Sequence, residues 1–425
     1  MALELDRNVE VEVVNKTPML RFKEFSGDWE EKKLGKLGEF KKTYSFSRSV
    51  EGEGNYKHIH YGDIHMNYKG IISKDKYIPS IDIPSDDSYE FIKERDIIFA
   101  DASEDRKDLG KVAVVRDIEG NVLSGLHTIC FRPNESLNSE FFLNHSLNKE
   151  YLKFMYTRGN GAKVLGISKS NLSEYKFLAP SKEEQEKIAS FFYLIDDKIS
   201  LQVEKLELLK DYKCGMMQKI FSRELRFKDD EGRDYPEWEE KKLGDIIDKG
   251  KAGGTPKSTV KDYYNGDINF LSISDMTTQG KYINYTEKTI TKLGLENSSA
   301  WLVPKNSLIY SMYASVGFVS INKIELATSQ AMFSMIINEN TNMDYVYHYL
   351  SYFKDNGIQA FIETGTQGNL NANTVKNIVI PYPNRDEQDK IALSISSLGN
   401  KIEKEEEKLE SLKQYKKGLL QQMFV

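Results

Sequence analysis

Two stretches of the chain carry the same long-period apolar pattern. In the first, Ile188, Phe192, Ile195, Ile199, Leu206, Leu209, Met216 and Ile220 follow alternating spacings of four and three, with Gln202 and Lys213 interrupting. In the second, Ile391, Ile395, Leu398, Ile402, Leu409, Leu412, Leu419 and Met423 do the same, interrupted by Glu405 and Lys416. Apolar residues repeating on average every 3.5 positions for about five heptads put one stripe on one face of a helix, which is the mark of a coiled coil. At ~1.5 Å rise per residue, each stretch predicts a rod near 60 Å long. The expected seam runs through Ile188, Ile195, Ile199, Leu206 and Leu209 on the first rod and Ile391, Leu398, Ile402, Leu409 and Leu412 on the second. Two equal rods in one chain are expected to pair with each other, antiparallel. The register stays open: flush ends oppose Ile195 to Leu409, whereas matching polar layers oppose Lys213 to Glu405 and Gln202 to Lys416.

Ahead of each rod the pattern changes to short β-type runs with turn signals and occasional helices. Asp96–Phe99, Lys111–Val115 and Ser307–Tyr310 read as strands. Glu119–Asn121 and Asn265–Asp267 read as turns, and helices are expected around Ser139–Met155 and Asp344–Phe353. The fold class predicted is α+β, with two pseudo-symmetric heads and two long antiparallel coiled-coil helices. The predicted boundaries are an N-terminal extension over 1–20, a first head over 21–180, a first helix over 181–222, a second head over 223–382 and a second helix over 383–425.

An internal duplication supports this division. Trp29–Gly35 recurs unchanged as Trp238–Gly244, and Arg21-Phe22-Lys23 ahead of it is echoed by Arg226-Phe227-Lys228. Glu184-Gln185 followed by Ile188-Ala189 returns as Glu387-Gln388 followed by Ile391-Ala392, with Tyr212-Lys213 and Tyr415-Lys416 further along. Matches chained in one order mark a duplication. A pseudo-symmetric molecule with a head on each rod suits a pseudo-symmetric polymer, and duplex DNA presents equivalent groove faces about every 34–36 Å.

Composition changes this picture little. Hydrophobic residues make up 39% of 425, enough for real cores and against wholesale disorder. Two distant cysteines imply no disulfide framework and a reducing compartment. The N-terminus has no signal-peptide pattern, and no apolar run reaches ~18 residues, so a cytoplasmic protein without membrane association is expected. The net charge of −6 counts against a uniformly basic DNA binder. Phosphate contacts, however, need only local Lys/Arg groups, and an acidic remainder can face protein partners.

Groups suited to groove reading sit in the loops of both heads. In the first they are Tyr44, Arg48, Lys57, His58, Arg106, Lys107, Arg158 and Lys163; in the second they are Thr255, Lys257, Ser258, Tyr313, Ser315, Thr366, Gln367, Asn369 and Asn371. Amides and cations of this kind hydrogen-bond to base edges, while Lys, Ser and backbone N–H groups hold phosphates. Catalytic patterns are missing. Gly161–Ser168 lacks the lysine of a phosphate loop, and no nucleophile elbow or zinc-type spacing occurs. His58, His60 and His65 read as polar side chains of a strand or loop rather than a metal site, and Asp101, Glu104 and Asp105 as a solvated turn.

In this order of parts the chain resembles the specificity subunit of type I restriction–modification systems. The resemblance rests on the Leu20-Arg21-Phe22 and Leu225-Arg226-Phe227 starts, the Trp29 and Trp238 motifs, and the Gly253–Pro256 run followed by Tyr264–Ile268. It rests also on the Glu-Gln-x-x-Ile-Ala opening of each rod, and it covers about Thr17 to Val425. It implies two target recognition domains, a bipartite asymmetric DNA site with a nonspecific spacer, and no chemistry or cofactor on this chain. It also implies two methyltransferase subunits using S-adenosylmethionine and two ATP- and Mg-dependent restriction subunits as partners. The first head lacks the Gly-Gly-Thr-Pro run, with Lys41–Tyr44 in its place, so contact residues do not transfer between heads by motif. A protein-only scaffold is the rival reading; it predicts no specific DNA retention and little dependence on salt.

Overall fold

The computed structural model describes residues 16–68, 70–105, 108–161, 164–360 and 369–425. The chain divides into two compact units, Met1–Val203 with Lys408–Val425, and Glu204–Glu407. Each contains one head and parts of both long helices, Lys182–Phe221 and Arg385–Met423.

The first head is built on a five-stranded sheet, ordered Gly38–Phe40, Thr128–Pro133, Ile97–Ala100, Val112–Asp117, Ile71–Ser73. Pairing is antiparallel except at the Ile71–Ser73 edge, which runs parallel. The central strands read as unbroken apolar runs because both faces of the sheet are covered. Ile97, Phe99, Val112 and Val114 point into the core that also holds the base of the long helix, while Ile98, Ala100, Ala113 and Val115 point into a second core on the opposite face. A three-stranded sheet of Ser80–Ile81, Glu51–Ile59 and Asn121–Ser124 completes the head.

The second head repeats the order with Ile247–Ala252, Met332–Ile337, Leu308–Ser311, Val319–Asn322 and Tyr282–Ile283. Its strands alternate in the same way, with Leu308 and Tyr310 in one core and Ile309 in the other. Two local readings need correcting. Asn265–Asp267 is no turn between strands but a bulge inside the strand Tyr264–Leu271. Asn265 adopts φ 60° there, and a Cβ on Gly266 would meet the Ile290–Thr291 backbone, so Asn and Gly mark a distortion of the ladder. The helix expected over Ser139–Met155 is two helices, Ser139–His145 and Lys149–Arg158, because the Asn148 side chain accepts the Tyr151 N–H and caps a fresh start.

The long helices run antiparallel within each unit. In the first, Ile188, Phe192 and Ile195 share a core with Leu419, Met423 and Phe424; in the second, Met217, Ile220 and Phe221 share one with Ile391 and Ile395. Ile188, Ile195, Leu206, Ile391 and Ile402 are buried, and Ile199, Leu209, Leu398, Leu409 and Leu412 half-buried. Neither anticipated register occurs. Lys416 pairs with Asp196 in the first unit and Glu405 with Lys205 in the second, which sets the stagger between the two anticipated ones. The aromatic plug of Phe424 against Trp29, Phe141 and Phe192 anchors the C-terminal end of that stagger.

The repeated motifs form the joint between head and helix. Glu184 is buried and accepts a bidentate bond from Arg21; Glu387 does the same for Arg226. Gln185 accepts the Asn138 N–H at the start of a head helix and donates to the Pro180 carbonyl, and Gln388 does likewise with Asn342 and Pro383. The strand Glu30–Lys33 pairs with Lys176–Ala179, as Glu239–Lys242 pairs with Val379–Tyr382. The strongest sequence repeat is therefore mechanical.

Candidate nucleic-acid interface

Three loops converge at one end of the main sheet in each head, held by one backbone ladder used twice. In the first head, Tyr44 N–H donates to the Ser124 carbonyl, Asp101 N–H to that of His127, and Ile167 N–H to that of Asp101. In the second, Gly254 N–H donates to Thr328, Met312 N–H to Ala331, and Leu370 N–H to Met312. The ladder equates Tyr44 with Gly254, so Lys41–Tyr44 does stand where the second head has its glycine pair. The glycines are needed where they occur: a Cβ on Gly253 would lie 2.1 Å from the Thr328 carbonyl oxygen, and one on Gly254 would lie 2.6 Å from Ala300 N.

In the first head Tyr44 is half-buried in an aromatic cluster with Phe46 and Tyr89, to which Tyr56 and Phe91 add. Its hydroxyl accepts the Glu90 N–H, and the Lys42 ammonium lies 5.5 Å from its ring centroid. Arg48 is half-exposed but directs its guanidinium to Asp63 at 2.8 Å and Glu51 at 3.0 Å. Lys57 is half-buried and Arg158 exposed over Phe154. His58 is a correction. It is fully buried, 3.2 Å from Glu51, because the strand Glu51–Ile59 turns it inward, and a buried imidazole cannot meet a duplex. Arg106, Lys107 and Lys163 lie outside the described residues. His60 caps the helix Tyr61–Met66 by accepting the Gly62 N–H, and His65 lies 3.2 Å from the Ala102 carbonyl. Among the described residues, no group of three or more His, Cys, Asp or Glu is placed to hold a metal ion.

Asp101 is not the solvated turn residue expected. Its carboxylate lies 3.2 Å from His127 Nδ1, and burial raises its pKa above the usual carboxylate range. The pair opens on a recess of about 440 Å³ shared with Asn160, Leu165, Ser168 and Asn171. Sequence alone could not bring these together, because they come from three loops that only the ladder joins.

In the second head Thr255, Lys257 and Ser258 are exposed, and the Thr255 hydroxyl donates to Gln330 Oε1 at 2.5 Å. Gln330, on the neighbouring loop, is a residue that no motif or spacing singles out. Tyr313 and Ser315 are exposed on a tight turn through Ala314, which adopts φ 47°. Asn369 is half-buried, and Asn371 is exposed, with a side chain that caps the helix Ala372–Lys376. Thr366 and Gln367 lie outside the described residues.

The first long helix presents a second apolar stripe to solvent, with Leu194, Leu201, Leu208 and Tyr212 each more than half exposed; Tyr415 is similarly exposed on the second. None of the described helices is long and apolar enough to cross a membrane.

Comparison with known proteins gives one family. A model described as the type I restriction modification DNA specificity domain matches residues 26–211 and 235–414. The chain is 29% identical over 211 residues to the type I restriction enzyme MjaIX specificity subunit of Methanocaldococcus jannaschii, covering 48% of each chain. It is 28% identical over 231 residues to the EcoR124I/EcoR124II specificity subunit of Escherichia coli, covering 52% of this chain and 55% of that one. It thus spans about half the length of these curated relatives. In fold it is similar to the S subunit of a type I restriction–modification system from M. genitalium, with TM-score 0.57 and 16% identity over 96% of this chain and 99% of that one. With one match on each repeat and most of the chain covered, this protein belongs to the type I restriction–modification DNA specificity family, as a specificity subunit that carries the domain twice.

Proposed function

We propose that the chain reads an asymmetric duplex DNA site in two parts, one through each head, and that the length of its long helices sets the gap between them. One observation carries this reading: the heads share a sheet, a backbone ladder and a set of loop positions, yet place different side chains on them. Shared geometry with divergent polar groups is what two readers of different sequences require, since phosphate contacts position and base contacts specify. The first head offers aromatics and cations around Tyr44 and Arg158; the second offers hydroxyls and amides around Thr255, Tyr313 and Asn369.

As a specificity subunit the chain is non-catalytic. Methyl transfer from S-adenosylmethionine, and ATP- and Mg-dependent translocation and cleavage, fall to partners, two methyltransferase and two restriction subunits, acting in the cytoplasm. The exposed stripe of Leu194, Leu201, Leu208 and Tyr212 is the surface proposed to receive a methyltransferase subunit, since apolar area of this kind gains by being covered.

The test is methylome mapping in cells that carry the chain with its partners, followed by exchange of residues 34–177 for another head. The native chain should yield a gapped, asymmetric motif, and the exchange should change one half of it only. A motif that changes in both halves, or no motif at all, would rule the reading out.

A further inference from the structure

The two heads act as controls for each other. The backbone bonds at Asp101 and at Met312 are the same: Asp101 N–H to the His127 carbonyl is 3.0 Å, and Met312 N–H to the Ala331 carbonyl is 2.8 Å. Ile167 donates to Asp101 at 2.8 Å and Leu370 to Met312 at 2.9 Å. The fold is therefore satisfied at these two positions by a buried methionine and an alanine. The first head instead carries a carboxylate and an imidazole, at two physical costs. Asp101 is partly removed from water, with 27% of its side chain exposed, and His127 adopts φ 56°, in the left-handed region that L-residues avoid. Strain and desolvation that the duplicate fold does without point to a use.

The pair is also held in place. His127 Nδ1 lies 3.2 Å from Asp101 Oδ1, and the Tyr61 ring packs edge-on against the imidazole at 5.5 Å and 87°. About half of the His127 side chain is exposed, at the rim of the recess where the three loops meet. An ionised carboxylate only accepts hydrogen bonds, and one to His127 leaves lone pairs unused. In the major groove the only donors on base edges are the exocyclic amines of adenine and cytosine, whereas the O6 and N7 of guanine and the O4 of thymine are acceptors that a carboxylate repels.

We propose that Asp101, oriented by His127, is a specificity-determining residue of the first head and accepts a hydrogen bond from the exocyclic amine of an adenine or cytosine. This rests on the DNA-reading function proposed above and names the residues and base chemistry at one position of the first half-site. Discrimination arises as much from rejecting guanine and thymine as from binding the amine.

The experiment is selection of random duplexes by the full-length chain, with Asp101→Ala and with the double variant Asp101→Met, His127→Ala, which installs the residues the second head already accommodates. The wild-type motif should contain a position restricted to A or C in one half. Both variants should lose that restriction, with discrimination there falling about tenfold, and leave the other half unchanged. Variants that melt like the wild type and still select its motif would overturn the role of the pair alone. A wild-type chain that enriches no motif would overturn the DNA-reading function, and the pair's role with it.

Discussion

His145 and His348 lie one position out of register on corresponding helices of the two heads, Ser139–His145 capped by Asn138 and Met343–Asn356 capped by Asn342, and both are buried. His145 Nε2 lies 2.7 Å from the Tyr175 hydroxyl and His348 Nε2 lies 2.8 Å from the Ser396 hydroxyl. Burial pushes both down to about 3. The unfolded chain, with ordinary imidazoles near 6.5, takes up protons below that value while the folded chain resists them. The stability these residues allow is therefore complete above about pH 6.5 and is lost as pH falls toward 3, by about 2 kcal/mol each at pH 5. Thermal unfolding at pH 7.5 and pH 5 should show a drop for the wild type and a smaller one for His348→Gln. Parallel drops would mean that other groups carry the acid sensitivity. His58 makes the complementary point: the strand Glu51–Ile59 is exposed at its start and enclosed on both faces at its end, where His58 and Ile59 are both fully buried, and tertiary packing alone sets where that change falls.

At the scale of elements, the clasp between head and helix differs between the repeats although its sequence does not. Glu387 accepts from Arg226 and also from Trp238 Nε1 at 2.8 Å, so it satisfies a buried indole as well as a guanidinium. Glu184 accepts from Arg21, and Trp29 Nε1 finds no partner among the described residues. Removing one member of a buried, hydrogen-bonded pair leaves the other desolvated and uncompensated, at about 3–5 kcal/mol. Glu387→Ala should cost about that much, and more than Glu184→Ala, since it strands two donors instead of one. Chemical unfolding of the two variants checks both statements, and equal losses would contradict the account. The long helices follow the same logic. Their apolar spacing was legible because periodicity is local, whereas the stagger depends on Asp196–Lys416, Lys205–Glu405 and the Phe424 plug, contacts between residues far apart in sequence.

For the molecule as a whole, the proposal makes the long helices a ruler. Inserting seven residues between Val203 and Glu204, and seven between Glu407 and Lys408, preserves the heptad seam and lengthens both helices by ~10 Å. The gap in the recognised motif should then grow by about three base pairs, from the ~3.4 Å spacing along each strand. Methylome mapping of the extended chain reads this directly. An unchanged gap with both half-sites intact would show that the helices do not set the distance.

The sequence by itself determined the duplication, the α+β heads, the two long antiparallel helices and the family, because each is written in local periodicity or in repeated strings that do not depend on how distant parts meet. Only the tertiary structure decided the helix stagger, the inward turn of His58, the joint role of the Glu-Gln motif and the meeting of Asp101 with His127 in one recess. Those depend on which loops a shared backbone ladder brings to the same end of a sheet. Hydrogen bonds between residues far apart along the chain leave no periodic trace in it.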